Sequence, residues 1–186
     1  GFGKIFGSGT VKFDRVYHSG LVERPVAGKW QKLGGKEKDP ATGISYLNQL
    51  VEDDATMRQL FAGPPGDMDY PGVIKAALDN DAVGEFAMLS TAHGQIEGGR
   101  SWMPGFAPSN NRGYEIEVLG PFVERAPNGK NRLRTIGDYG KTKNGHSVLL
   151  RLCIKDFSVL FGGDLNLPAE KFLLMQYAGL DRWPDS

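Results

Sequence analysis

The stretch from Asn144 to Asn166 constrains the fold more than any other part of the chain. Two apolar, partly β-branched runs, Ser147 to Ile154 and Phe157 to Phe161, are separated only by the polar pair Lys155-Asp156. Two polar residues are the length of a tight hairpin connection, so the stretch predicts two antiparallel strands. The second run is almost continuously apolar, which predicts a strand buried on both faces. It ends in Gly162-Gly163, where the missing side chains let the backbone turn sharply and let another group approach. Asp164 is thereby delivered to the end of a strand, a common position for a carboxylate that holds a metal ion or polarises a substrate.

A chain of 186 residues with 40% hydrophobic content can build one ordinary domain around a sizeable core. Lys plus Arg equals Asp plus Glu at 22 each, so the formal net charge is zero and no broad electrostatic footprint for nucleic acid shows in the total. That argues against a pure DNA-binding protein. It leaves room for an enzyme acting on phosphodiesters, because bound metal ions supply positive charge of their own. The single cysteine, Cys153, lies in a predicted strand as a small apolar residue, and without a partner it excludes a disulfide-stapled secreted module. No run approaches the roughly 18 apolar residues of a membrane span. The opening Gly1 to Phe6 lacks the apolar centre of a signal peptide, so the expected location is cytoplasmic. The chain opens without Met in a glycine-rich phrase, which fits a segment cut from something longer.

Along the chain, Val11 to Leu21 reads as a short strand leaving into a loop, with His18 a polar strand end or a site residue. Lys29 to Lys38 is rich in Lys and Gly around Trp30 and reads as a solvated loop, or as one that contacts a nucleic-acid backbone while stacking a base. From Ile44 to Phe61 the apolar spacing suggests one or two amphipathic helices, and Tyr70-Pro71-Gly72 opens a short helix of Val73 to Leu78. Glu85 to Ala92 reads as a buried strand delivering His93 either as a structural histidine or into a cleft. Gly98 to Asn111 reads as a long loop carrying Trp102 and Phe106, a lid or substrate wall. After a strand at Tyr114 to Leu119, Arg125 to Lys143 holds six cations against Asp138 alone, a local basic patch suited to attracting phosphate. Leu167 to Tyr177 reads as a helix entered by Pro168 and ended at Gly179.

The polar entry Asn144-Gly145-His146-Ser147, the strand, the two-residue turn, the second strand and Gly163-Asp164 resemble the later part of the metallo-β-lactamase fold. The likeness is greatest to the branch related to the hydrolase domain of competence (DNA-uptake) proteins. Gly120-Pro121 after the preceding strand fits that branch as well, and the resemblance runs from about Gly113 to Leu180. It implies an α/β fold, an incomplete metallo-β-lactamase-like αββα sandwich, with residues 1–186 forming a single or partial domain. It further implies hydrolysis by water held on metal ions, zinc or alternatively manganese. Asp164 would match the aspartate that bridges the metals. His146 would be a ligand of the first metal, or else Asn144 and Ser147 would position phosphate oxygens; both remain open. Lys141 and Lys143 would attract substrate phosphate. The family's His-x-His-x-Asp-His signature and its late histidine are absent, and the chain has only three histidines. Two expectations follow: a metal-dependent phosphodiesterase or nuclease-like enzyme completed by a longer parent protein, or a catalytically inactive module binding nucleic acid or protein. A plain structural subdomain is the third reading. Oligomeric state is not legible.

Overall fold

A computed structural model describes residues 2–8, 10–26, 29–64 and 69–178. The chain begins with α1 (Phe2–Gly7) and β1 (Phe13–His18). Two antiparallel pairs follow, β2 (Arg24–Val26) with β3 (Lys29–Lys32) and β4 (Lys36–Lys38) with β5 (Ser45–Leu47). Then come α2 (Asp54–Leu60), α3 (Asp69–Leu78) and β6 (Val83–Met88). β6 pairs in parallel with β1, Phe13 lying opposite Val83 and His18 opposite Met88. A parallel pair requires a crossover connection, and this one carries both helices. They bury Met57, Phe61, Ile74 and Ala77 against Phe6, Val22 and Phe86 to make the first core. Asp53 caps α2 by accepting the Thr56 N–H at 2.8 Å, and the next residue, Asp54, accepts the Phe86 N–H at 3.0 Å, tying the helix to β6. Gly84 is required where the pair is tightest, since a Cβ there would stand 2.3 Å from the Asp14 carbonyl oxygen.

The remaining elements are β7 (Gln95–Glu97), β8 (Arg100–Trp102), β9 (Glu115–Gly120), β10 (Glu124–Arg125), β11 (Asn131–Arg134), α4 (Tyr139–Gly145), β12 (Leu149–Ile154), β13 (Phe157–Phe161) and α5 (Leu167–Tyr177). The larger sheet has the order β13-β12-β9-β8-β7 and the smaller β10-β11-β5-β4, giving a mixed α/β fold. α5 packs Ala169, Phe172, Leu173 and Tyr177 on Leu119 and Leu149, and the Tyr177 hydroxyl donates to the Leu119 carbonyl at 2.6 Å. A third apolar cluster joins Leu21, Leu33, Leu47, Met88 and Leu133, with Leu50 and Val123 packed against it. Among the described residues no helix is long and apolar enough to cross a membrane.

The hairpin forms as its spacing predicts, with Lys155 in the left-handed region at φ 51°. Its second strand is not buried on both faces. β13 is the open edge of its sheet, and Phe157, Leu160 and Phe161 are 63%, 50% and 52% exposed. Continuous apolar character was read as two covered faces, but among the described residues no strand pairs with its outer edge and its faces stay partly exposed. Two expected loops and the basic segment also carry regular structure. Lys29 to Lys38 contains β3 and β4, Gly98 to Asn111 contains β8, and Arg125 to Lys143 contains β11 and α4. Strand pairing, local for β3 with β2 and β8 with β7 and long-range for β11 with β5, overrides a polar, glycine-rich composition there. The expected helices over Ile44 to Phe61 reduce to α2, because Ser45 to Leu47 pairs with β4 and β11. Trp102 is packed down, its indole N–H donating to the Glu97 carbonyl at 3.1 Å, and does not form a lid. Cys153 lies in β12 as expected but is partly exposed. α5 follows its predicted course with Asn166 as its N-cap, while Gly179 lies outside the described residues.

Candidate functional site

Asn144, Ser147 and Asp164 meet where α4 runs into β12. The Ser147 hydroxyl donates to the Asn144 carbonyl at 2.8 Å and accepts the Asp164 N–H at 3.2 Å. Short polar side chains at helix ends characteristically hold turns in this way. The Asp164 carboxylate points to solvent with no hydrogen bond or ion pair among the described residues. His146 turns the other way. It is 1% exposed, and its Nε2–H donates to the Arg134 carbonyl at 2.7 Å. Burial holds its pKa below the ordinary value, so it is a neutral imidazole clamping the end of α4 to β11. Lys141 sits at the surface 3.5 Å from Asp138, whereas Lys143 reaches Glu23 at 2.7 Å and lies over the Tyr70 ring.

These six residues therefore do not converge on one point. A catalytic zinc needs about three protein ligands. Among the described residues no three His, Cys, Asp or Glu side chains are grouped so as to hold a cation, and His146 is committed to a carbonyl. Zinc or manganese does not fit the residues present, and no step is routed through either. Asp164→Ala is expected to leave the urea midpoint unchanged. A clear drop would show that the carboxylate makes a contact the fold depends on.

The other two histidines stand near the C-terminal ends of the parallel strands β1 and β6. His93 Nδ1 lies 2.6 Å from the Ser90 hydroxyl, and its Nε2 lies 2.6 Å from Glu52 Oε2, which also accepts the Asn131 amide at 2.7 Å. The order Ser-His-Glu is that of a nucleophile, base and orienting acid. The serine, however, is 0% exposed, and its hydroxyl already accepts the Ala92 N–H at 3.1 Å. A substrate carbon has no approach to it, so the chain of bonds fixes the turn after β6. His18 accepts the Gly20 N–H on Nδ1 at 3.0 Å, leaving its buried Nε2 without a partner among the described residues.

The basic segment is largely neutralised by carboxylates from elsewhere in the chain. Arg132 pairs with Asp39 at 3.0 Å, Arg134 with Glu124 at 2.8 Å, and Lys143 with Glu23. A different set of cations has no such partners. Arg24, Lys32 and Lys36 line a cleft of about 630 Å³, and among the described residues none of them has an ion-pair partner. Leu33 and Leu47 line it with apolar surface, Gly34, Gly35 and Gly137 give it thin backbone walls, and Tyr139 offers an aromatic side. The two adjacent glycines follow from close packing: a Cβ on Gly34 would meet the Gln49 carbonyl at 2.9 Å, and one on Gly35 would meet Asn48 Oδ1 at 2.9 Å.

Arg24 is half-buried, with its guanidinium fixed by the Gln49 carbonyl at 2.7 Å and by Gln49 Oε1 at 3.3 Å. Its Nε and the Thr135 hydroxyl, both belonging to residues of the cleft wall, are buried polar atoms without partners among the described residues. Burial lowers the Arg24 pKa, yet a guanidinium stays charged near neutrality. Partly desolvated positive charge with no carboxylate beside it favours the approach of an anion. Asp138 is the acidic group of the wall, and it is engaged with Lys141 and with the Lys141 N–H at the start of α4.

The Lys and Gly content of Lys29 to Lys38 marked one wall of this cleft in the sequence. Arg24 and Thr135 carried no local signal, because the Thr135 N–H reaches the cleft region only by donating to the Ser45 carbonyl across the smaller sheet. Comparison with known protein families, with curated proteins and with solved structures finds no match to this chain.

Proposed function

We propose that this chain is a binding module that does not hydrolyse its ligand, and that it holds the phosphate groups of nucleic acid in the cleft bounded by Arg24, Lys32 and Lys36. The observation that carries the reading is the contrast between those three cations and the ion-paired arginines of β11. A protein that pairs Arg132 and Arg134 internally but leaves three cations around one concave surface presents charge to something outside itself. The volume suits one or two nucleotides, with phosphate oxygens on the cations and the Thr135 hydroxyl and a base against Tyr139. The glycine walls allow the backbone of a polymer to approach closely.

This is the inactive-module alternative to a metal-dependent phosphodiesterase. The β12–β13 hairpin ending in Gly-Asp, followed by α5, supports a metallo-β-lactamase-like ancestry for such a module. The separation of His146 from Asp164 argues against the catalytic version.

Fluorescence anisotropy with a labelled single-stranded oligonucleotide tests the reading. Binding is expected to weaken steeply with salt, and each of Lys32→Ala and Lys36→Ala should reduce the log-log salt slope by about 0.7. Asp164→Ala should leave binding unchanged. Salt-insensitive or absent binding overturns the proposal. Hydrolysis of a phosphodiester after addition of zinc or manganese, abolished in Asp164→Ala, would restore the enzymatic reading.

A further inference from the structure

Arg24 and Tyr139 bring unlike chemistry to the same cleft, and each is held by a side chain of another segment. The Arg24 guanidinium is fixed by Gln49. Tyr139 is the first residue of α4, a helix of seven residues, and helix ends fray, so nothing in the local backbone fixes where a large side chain at that position points. Its ring is 44% exposed at the cleft wall, yet its hydroxyl donates to Glu23 Oε1 at 3.3 Å. Glu23 stands immediately before Arg24 at the entry to β2, 116 residues ahead of Tyr139. The other nearby carboxylate, Asp138, is occupied by Lys141 and by the Lys141 N–H.

Glu23 is a buried carboxylate, 8% exposed, and its bonds are unevenly shared between its oxygens. Oε1 accepts both the Tyr139 hydroxyl and the Lys143 ammonium, the latter at 2.7 Å, while Oε2 is buried without a partner among the described residues. Lys143 lies in turn over the Tyr70 ring, 4.9 Å from its centroid. Burial first, and then the Glu23 charge, push the Tyr139 pKa up to about 12, so the hydroxyl keeps its proton and remains a donor. Lys143 balances the charge of Glu23 by itself. An apolar contact would join α4 to the entry of β2 without the desolvation cost of a carboxylate, but it would not fix the direction of a ring. The hydroxyl bond does, because it holds the far end of a side chain whose near end sits at a helix terminus. We infer that Glu23 is a positioning residue for the cleft, pinning the Tyr139 hydroxyl so that the ring stands as a stacking platform for a nucleotide base beside the Arg24 phosphate contact. The inference rests on the nucleic-acid reading given above. Glu23 itself touches no ligand. Every base has a face to stack, so the platform adds affinity without sequence preference, and a ring already held in place loses less conformational entropy when a base arrives.

The test is fluorescence anisotropy with two labelled strands of equal length, a single-stranded oligonucleotide and its abasic counterpart, which keeps the phosphates and lacks the bases. The readout is the ratio of their dissociation constants, because changes in phosphate attraction cancel in it. The wild type is expected to bind the abasic strand about tenfold more weakly. Tyr139→Phe keeps the ring and the Lys143–Glu23 pair and loses the tether, so its ratio should fall to about threefold. Glu23→Ala should give the same fall, and the two substitutions combined should fall no further, since both remove one bond. Glu23→Gln, which keeps the Oε1 acceptor, should hold most of the wild-type ratio. A Tyr139→Phe ratio equal to that of the wild type overturns the inference, because the ring then stacks without its tether, and this variant reports even where Glu23→Ala fails to fold. A wild-type ratio of one, with binding still dependent on salt, also overturns it and leaves the phosphate reading standing. Absence of binding to either strand removes both.

Discussion

Acidification from about pH 7.5 to about pH 5 is expected to remove about 2 kcal/mol of stability through His18 alone. The ring is buried at the end of β1, and burial, reinforced by the nearby His93, lowers its folded pKa to about 4 from the ordinary 6.5. In the unfolded chain the imidazole protonates as pH falls through about 6.5, while in the folded protein it resists until about 4. Between those values the unfolded state holds more protons, so stability falls with pH. The contribution is intact above the upper value and lost below the lower one. His146, lowered by the same cause, adds to the slope with the same sign. The aspartates act further down. Asp39, held low first by the Thr42 N–H and then by Arg132, and Asp53, held low by the Thr56 N–H, lose their contributions only as pH falls through their depressed folded values. Urea unfolding at several pH values measures the slope. His18→Asn, which keeps an acceptor for the Gly20 N–H, should flatten it; an unchanged slope would mean that His18 is not the group responsible.

Glu117→Gln is expected to cost at least about 3 kcal/mol, among the largest losses available to a single polar substitution in this chain. Glu117 is a fully buried carboxylate in the middle of β9, ion-paired with Arg151 directly across the β9–β12 ladder and lying 3.9 Å from Arg100. Neutralising it takes away the compensating charge while leaving two guanidinium groups in partly desolvated surroundings. Replacing both members of the cross-strand pair, as in Glu117→Leu with Arg151→Leu, should recover much of the loss, because the desolvation cost of the pair disappears with it. Urea denaturation of the single and double variants decides the matter. A Glu117→Gln loss below about 1 kcal/mol would show that water reaches the site and screens the arginines.

The hairpin of β12 and β13 was readable because its information is local: two polar residues between apolar runs admit few other structures. The helix α5, announced by Pro168 at its entry, was readable for the same reason. The exposure of β13 was not, because hydrophobicity reports what a strand prefers to touch and not whether anything is there. The basic run from Arg125 to Lys143 misled in a related way. Asp39, Glu124 and Glu23, which neutralise Arg132, Arg134 and Lys143, come from other strands and loops, so the sequence window displayed more charge than the folded protein presents. His146 was singled out by the phrase around it, and phrase alone does not separate an imidazole aimed at solvent from one aimed at the Arg134 carbonyl. The cleft was half visible. Lys32 and Lys36 lay in a segment whose composition drew notice, while Arg24 and Thr135 join it only through tertiary packing.

The pairing of β1 with β6 also sets an order of events. Phe13 meets Val83 seventy residues further along, so the first core cannot close until β6 has been made, and that loop closure carries an entropic cost before any strand contact repays it. Once Phe86 is present, however, every residue of that core exists, whereas the second core begins only at Leu119. During synthesis the gap of about thirty residues gives the first core on the order of seconds to assemble before the second is available to compete for its surfaces. Leu133 then joins Leu21, Leu33, Leu47 and Met88, so the small third cluster ties the early half to a late strand before the second core, which needs residues as far as Tyr177, can be completed.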